Sequence, residues 1–238
     1  MKGSFTLLEL LITIAIISIL GVVAFKFQDS SLVVARDQIV QHIRYTQSLA
    51  LSENFYQHKP ASSSPKDINS SKFWFKRNWQ FYLTTSVNTI YYSIFSDNPT
   101  DSNTTNFDKS PRFRDEVAID PDSRKYLTGI WQELNGYSIF RRSEVNTKLN
   151  LSYSYGIDRV EANRTFGERW GVNRIRLIFD NFGRPYYFHI RGDGGDIHPF
   201  KYLLTESVQI KISKDGQSIC FNIAPITGYI YFPGKCNF

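Results

Sequence analysis

A long apolar run lies near the start of the sequence, from Phe5 to Phe25. The run holds 21 residues, and none of them from Leu10 onward is charged. As a helix it would be about 31 Å long, which matches the hydrocarbon thickness of a bilayer. The sequence therefore predicts a transmembrane helix over 5–26, and any globular domain must be built from the residues that follow.

One carboxylate, Glu9, lies within this run. A charge in hydrocarbon costs about 3 kcal/mol on insertion scales, so such a residue usually has a partner. Glu9 lies one helical turn after Phe5, and a cut between Ser4 and Phe5 would create an α-ammonium there. That amine and the positive end of the helix dipole would both attract the carboxylate. Glu9 is therefore interpreted as a docking charge, paired within its own chain or with the Phe5 amine of a neighbouring subunit.

Two other kinds of N-terminal segment fit less well. A secretory signal peptide has a longer basic region, a shorter apolar core and a small-residue cleavage site. Here the leader is only MKGS, and the apolar run continues into KFQDSSLVVARDQ. A plain signal anchor has the right length but gives no reason for Glu9.

The stretch SFTLLELL resembles the class III signal of type IV prepilins and type II secretion pseudopilins. In that signal a short basic leader is followed by Phe, Thr and Glu at the first, second and fifth mature positions. Phe5, Thr6 and Glu9 match, whereas Ser4 stands where the family usually has Gly. The resemblance implies that prepilin peptidase removes the leader 1–4 and methylates the Phe5 amine, and that Thr6 and Glu9 serve assembly.

The helix is predicted to continue through 27–56 as an amphipathic segment that ends near Asn54. Apolar positions recur there at intervals of three or four, as on one packed face: Leu32, Ala35, Ile39, Ile43, Thr46 and Ala50. The segment RDQIVQHIRYTQSLALSEN resembles the corresponding helix of H-type minor pseudopilins and FimT-like minor pilins.

Residues 57–238 are predicted to form a β domain. Aromatic and polar residues alternate in FWFKRNWQFYLTT and TIYYSIF, as in half-buried strands. Turn residues at 181–183, 214–216 and 225–228 separate later strands. The polar stretch 96–116 is predicted to be a surface insertion.

The predicted fold class is thus α+β. A long N-terminal helix, half transmembrane and half amphipathic, packs on a C-terminal antiparallel β domain of the pilin type. The stretches IFDNFGRPYYF and ICFNIAPITGYIYF also resemble two C-terminal elements of the H-type branch. The middle of the chain, about 73–172, has no such counterpart and looks enlarged.

Two cysteines, Cys220 and Cys236, lie close together near the C-terminus. An even pair beyond an export segment favours one disulfide in an oxidising compartment, the alternative being two reduced buried thiols. The bridge would close a loop of about 17 residues, worth roughly 3 kcal/mol on the chain-entropy estimate.

The net charge of +6 would attract anionic partners without choosing among them. The segment KFWFKRNWQFY interleaves basic and aromatic side chains, as single-stranded nucleic-acid sites do: Lys72, Trp74, Lys76, Arg77 and Trp79. The alternative is a half-buried strand whose aromatic residues are core, and this interpretation is favoured. A second basic pair, Arg141–Arg142, is interpreted as solvated surface.

No catalytic site or cofactor is predicted. The four histidines are scattered along the chain, and none has a Cys or Asp at metal-ligand spacing. In RGDGGD, Asp193 and Asp196 offer a weak calcium candidate, but two carboxylates are few and such runs are usually turns.

Three functional hypotheses follow. The leading one is a minor pilin or pseudopilin, a structural subunit of a type II secretion pseudopilus or type IV pilus, near its tip. It would sit in the inner membrane with its short N-terminus cytoplasmic and its β domain periplasmic. Its partners would be prepilin peptidase and other pilins, through the N-terminal helix, with no small-molecule substrate. The alternatives are a DNA-binding minor pilin of a transformation (competence) apparatus and a monotopic membrane enzyme.

Overall fold

A computed structural model describes most of the chain: residues 6–28, 30–53, 74–86, 88–98, 110–111, 113–136, 138–163, 174–187 and 202–238. Two helices come first, α1 at Leu7–Gln28 and α2 at Ser30–Ser52, and a short helix α3 spans Leu151–Tyr155. In the described part of the chain, neither long helix combines the length and hydropathy that a membrane crossing requires.

Eight strands form two antiparallel sheets of four strands each. The first sheet has the order β2-β1-β4-β5, from Trp79–Ser86 (β1), Thr89–Ser96 (β2), Ile175–Phe179 (β4) and Pro185–Tyr186 (β5). The second has the order β3-β6-β7-β8, from Arg159–Ala162 (β3), Val208–Lys214 (β6), Gln217–Ile223 (β7) and Ile230–Tyr231 (β8). An N-terminal helix followed by antiparallel sheets confirms the predicted α+β, pilin-like fold class.

Helix α2 packs on both sheets with the face that its sequence pattern predicts. Each of the six predicted residues is at most 4% exposed: Leu32, Ala35, Ile39, Ile43, Thr46 and Ala50. Thr46, the one polar member, donates its hydroxyl to the His42 carbonyl at 2.7 Å, which removes the cost of burying it. The helix ends two residues before the predicted Asn54.

Three turns of the β domain need a left-handed backbone at glycine. Gly183 between β4 and β5, Gly216 between β6 and β7, and Gly228 between β7 and β8 have φ of 74°, 78° and 67°. Glycine reaches this region without steric cost, which is why the predicted turns form where they do.

The enlarged middle of the chain lies along the outer edge of β2. Isolated bridges join Phe95 to Val117, Ser93 to Thr128 and Tyr91 to Asn150. The backbone N–H of Ile94 donates to the Leu127 carbonyl at 2.9 Å. This segment thus occupies the hydrogen-bonding groups of an edge that would otherwise be exposed.

The middle segment also builds a second, smaller core against the first sheet. Buried apolar side chains from β1, β2 and the middle segment meet there: Tyr82, Phe95, Val117, Trp131, Phe140 and Val145. The extra residues of this region therefore form packed structure with a core of its own.

Two local predictions differ from the structure. Trp74–Arg77, predicted as the start of a strand, is a 3-10 helical turn that precedes β1. In the predicted polar insertion 96–116, the bounding residues Ser96 and Glu116 are buried, whereas 113–115 are exposed as predicted. Ser96 donates to the Arg77 carbonyl at 2.6 Å, and the Glu116 carboxylate accepts the backbone N–H of Asn98 at 2.9 Å. Residues 99–109 lie outside the described part of the chain.

Candidate functional site

Thr6 and Glu9 form one hydrogen-bonded cluster at the start of α1. The backbone N–H and the hydroxyl of Thr6 each donate to Oε2 of Glu9 at 2.9 Å, and the Glu9 backbone N–H donates to the Thr6 hydroxyl at 3.3 Å. This reciprocal arrangement is a capping box, which satisfies N–H groups that have no partner inside the helix. The structure thus brings together the two predicted assembly residues, and Ser4 and Phe5 lie outside the described residues.

The first two-thirds of α1 presents aliphatic side chains on every face. All its leucines and isoleucines from Leu7 to Leu20 are at least 50% exposed. Fully burying a side chain of this kind is worth about 1.5–3 kcal/mol, so ten that are each half or more exposed amount to on the order of 10 kcal/mol of unfavourable hydration. A helix that is apolar all round requires lipid or other helices as its surroundings.

The polar side chains of α1 are satisfied within the helix. Thr13 donates to the Leu10 carbonyl at 2.8 Å, and Ser18 donates to the Ile14 carbonyl at 2.8 Å. Glu9 is therefore the one residue between Leu7 and Leu20 with a charge to offer to a partner.

Cys220 and Cys236 form a disulfide, with their Cα atoms 5.7 Å apart. The bridge attaches the C-terminal tail to β7. Two further bonds fix the same tail, because Asn237 N–H donates to Oε1 of Gln209 at 2.6 Å and Lys211 Nζ donates to the Phe238 carbonyl at 2.9 Å. The tail is thus held to the second sheet by covalent and polar contacts.

The basic and aromatic segment before β1 is largely turned inward. Lys76 is 2% exposed and Trp79 is 8% exposed, with the Trp79 indole N–H donating to Glu53 Oε2 at 2.9 Å. Trp74 and Arg77 are partly buried, and Lys72 lies outside the described residues. The burial of Lys76 and Trp79 agrees with the core interpretation and argues against contacts from these two side chains to a nucleic acid.

Helix α2 carries a polar network in its contact with the first sheet. The Tyr92 hydroxyl, fully buried, accepts the Gln38 amide at 2.7 Å and lies 2.6 Å from Nδ1 of His42. The Tyr155 hydroxyl donates to Oε1 of Gln38 at 2.5 Å. Burial lowers the pKa of His42 to about 4, although the nearby Asp120 carboxylate acts in the opposite direction. His42 is therefore a neutral structural group at ordinary pH.

No metal centre is found in the described part of the chain, where no three His, Cys, Asp or Glu side chains cluster suitably. The weak calcium candidates Asp193 and Asp196 lie outside the described residues, as do His58, His189 and His198. Of the four histidines, only His42 can be placed, and its ring is engaged with Tyr92.

Sequence reasoning missed the role of Gln47. Its side-chain amide donates to the Gly183 carbonyl at 2.7 Å and to the Thr227 carbonyl at 2.9 Å. One amide on α2 therefore joins the β4–β5 turn to the β7–β8 turn. Gln47 follows Thr46 but lies off the apolar face that the pattern of α2 predicts, so it was interpreted as a surface residue and no local signal indicated its partners.

Residues 1–25 match a family model described as the prokaryotic N-terminal methylation motif. The chain carries a class III prepilin signal. This motif supports a type IV pilin-like or pseudopilin-like structural subunit, and it points to processing by prepilin peptidase, membrane anchoring and assembly with other pilins. No curated protein and no solved structure was found to match this chain.

Proposed function

We propose that this chain is a minor pilin or pseudopilin of the H-type or FimT-like branch, assembled near the tip of a type II secretion pseudopilus or type IV pilus. The observation that carries the proposal is the methylation motif at residues 1–25, followed directly by a helix with aliphatic side chains on every face. In this proposal residues 5–26 lie in the inner membrane before assembly.

The β domain, residues 57–238, is proposed to be periplasmic. The Cys220–Cys236 bridge supports this location, because disulfides form and persist in oxidising compartments. The short N-terminus would then remain on the cytoplasmic side, where prepilin peptidase removes residues 1–4.

Assembly is proposed to move α1 from lipid into a bundle of similar helices. Because both surroundings are apolar, the aliphatic side chains gain little from the transfer, and polar contacts decide the position of the helix. The Glu9 carboxylate, held at the helix start by Thr6, would exchange lipid headgroups or its own N-terminus for the Phe5 amine of a neighbouring subunit.

The mature N-terminus tests the processing step. Intact-mass and peptide mass spectrometry of the membrane-extracted protein should show a chain that starts at N-methylated Phe5. A chain that starts at Met1, or one cut after the apolar run, would show that the segment is an ordinary anchor or signal peptide.

Glu9→Gln tests the docking role, since it keeps the shape of the side chain but removes its charge. We expect normal membrane insertion but impaired incorporation into filaments, measured by comparing membrane and sheared-filament fractions. Ser18→Ala, which changes another exposed polar group of α1, should incorporate normally. Incorporation of Glu9→Gln at the wild-type level would contradict the docking role.

A DNA-uptake role is the second candidate, supported by the net charge of +6 and by Arg77, which is partly exposed. If residues 72–79 contact DNA, Arg77→Glu should weaken binding of the full chain to duplex DNA. The slope of the log binding constant against log salt concentration should become shallower by about 0.9 for the lost phosphate contact. Absence of binding at low salt would exclude this candidate.

A further inference from the structure

The enlarged middle segment contains an open pocket that none of the predicted roles uses. Its volume is about 680 Å³, and three cationic side chains line it, Lys125, Arg141 and Arg142. Neutral hydrogen-bonding side chains and one carboxylate complete the lining: Gln132, Ser143, Thr147 and Glu133. The pocket thus combines positive charge with several donors.

The walls of the pocket are held by backbone hydrogen bonds over a packed base. Gln132 N–H donates to the Phe140 carbonyl at 2.9 Å, and Tyr126 N–H donates to the Glu144 carbonyl at 2.9 Å. Phe140 and Trp131, which belong to the second core, are 1% and 2% exposed. Lys125, Arg141 and Arg142 lie in turns and irregular segments, and these hydrogen bonds hold the backbone on either side of them. Less backbone order must therefore be created when a ligand binds.

The pocket keeps an excess of positive charge, because its lining has three cations and one carboxylate, Glu133. A second carboxylate, Glu144, lies beside Arg141 outside the lining. Glu144 accepts two bonds from Arg114, at 2.8 and 3.0 Å, and one from the backbone N–H of Arg141 at 2.7 Å. These contacts lower the pKa of Glu144, which is therefore an ionised group already paired with Arg114. Among the residues that the structure describes, Lys125, Arg141 and Arg142 have no ion pair.

Arg142 is oriented before any ligand arrives. Its guanidinium donates to the Tyr153 hydroxyl and lies 5.0 Å from the centre of the Tyr153 ring and 5.8 Å from that of Trp131. The side-chain entropy that an arginine normally loses on binding is already partly lost here. Arginine placed against Tyr and Trp is also the composition typical of the most important contacts in protein interfaces.

We infer that this pocket binds an extended acidic segment of another polypeptide, with carboxylates on Arg141 and Arg142. The planar guanidinium matches a carboxylate with two parallel bonds, and the Ser143 and Thr147 hydroxyls can bond the peptide backbone. Glu133 favours a peptide over a nucleic-acid backbone, because its carboxylate can accept a peptide N–H and a phosphodiester chain has no such donor. This inference is independent of the proposed assembly role of α1.

The test uses the full chain in a neutral detergent at low ionic strength, with a fluorescent octaglutamate peptide as the probe. We expect saturable binding that Lys125→Gln/Arg141→Gln weakens about tenfold, because two of the three cations are lost. Arg44→Gln/Lys235→Gln removes the same charge from exposed positions outside the pocket and should change the affinity less than about twofold.

Three outcomes would overturn the inference. Equal losses in both double variants would show that the probe responds only to overall charge. Tighter binding of single-stranded oligothymidine than of octaglutamate, with the same sensitivity to the pocket variant, would identify a phosphate-polymer site instead. Absence of saturable octaglutamate binding would show that the pocket takes no acidic peptide. The thermal midpoints of both double variants should equal that of the wild type, which separates a binding loss from unfolding.

Discussion

His42 should make the stability of the β domain depend on pH between about 6.5 and 4, a range that begins above the titration of ordinary carboxyl groups. Its ring lies between α2 and the first sheet, where burial lowers the imidazole pKa to about 4 from an ordinary value of 6.5. The charged and titratable groups around it are Asp120, which favours the imidazolium, and the hydroxyls of Tyr92 and Tyr155. Protonation at Nδ1 would turn an acceptor for the Tyr92 hydroxyl into a donor.

The sign follows from the direction of the shift. Between pH 6.5 and 4 the unfolded chain binds a proton at His42 and the folded chain does not, so the free energy of unfolding falls as the pH falls. The full contribution of neutral, buried His42 to the free energy of unfolding is present above pH 6.5 and is lost by about pH 4. A shift of this size corresponds to about 3 kcal/mol.

The assay is chemical denaturation of the full chain in a neutral detergent between pH 7 and pH 4, for wild type and for His42→Gln. Glutamine keeps a polar contact to Tyr92 without a titrating group. Between pH 7 and pH 4, the free energy of unfolding of the variant should therefore fall by up to about 3 kcal/mol less than that of the wild type. Taking the difference removes the contributions of the other histidines and of the carboxyl groups. Parallel pH profiles for the two proteins would show that His42 titrates normally and that the reasoning is wrong.

Two more predictions follow from the contacts of α2 and of the tail. Gln47→Ala removes two hydrogen bonds to the turn carbonyls and should lower the free energy of unfolding by about 2 kcal/mol. Gln41→Ala, at an exposed position of the same helix, should have little effect. Equal effects of the two substitutions would contradict the bridging role of Gln47. Cys220→Ala/Cys236→Ala should lower the free energy of unfolding by about 3 kcal/mol, and the stability of this variant should not respond to reductant. If the stability of the wild type also did not respond to reductant, that would argue against the bridge.

The sequence predicted those parts of the fold that depend on local periodicity. Six residues of α2 share one face because their spacing follows the helical repeat, and the turns at Gly183, Gly216 and Gly228 form where a left-handed backbone is needed. Thr6 and Glu9 were recognisable because the class III signal that the stretch resembles lies within a few consecutive residues, whereas the capping box that they form was not predicted.

The features that sequence reasoning missed depend on contacts between distant segments. Lys76 looked like an available cation, but the strands and turn around it bury it to 2% exposure. Gln47 looked like a surface residue, and its two partners are 136 and 180 residues away in the chain. Arg141 and Arg142 were correctly predicted to be exposed, but only the fold of the middle segment brings Lys125 beside them.

The bridge made by Gln47 has a consequence for the order in which the domain can mature during synthesis. Helix α2 leaves the ribosome early, but its second carbonyl partner, at Thr227, appears 180 residues later. At about 5–20 residues per second, this separation corresponds to a wait on the order of ten seconds or more. During that interval Gln47 and the apolar face of α2 have no finished sheet to cover them, so this face of the nascent chain is exposed to aggregation until the last strands are made.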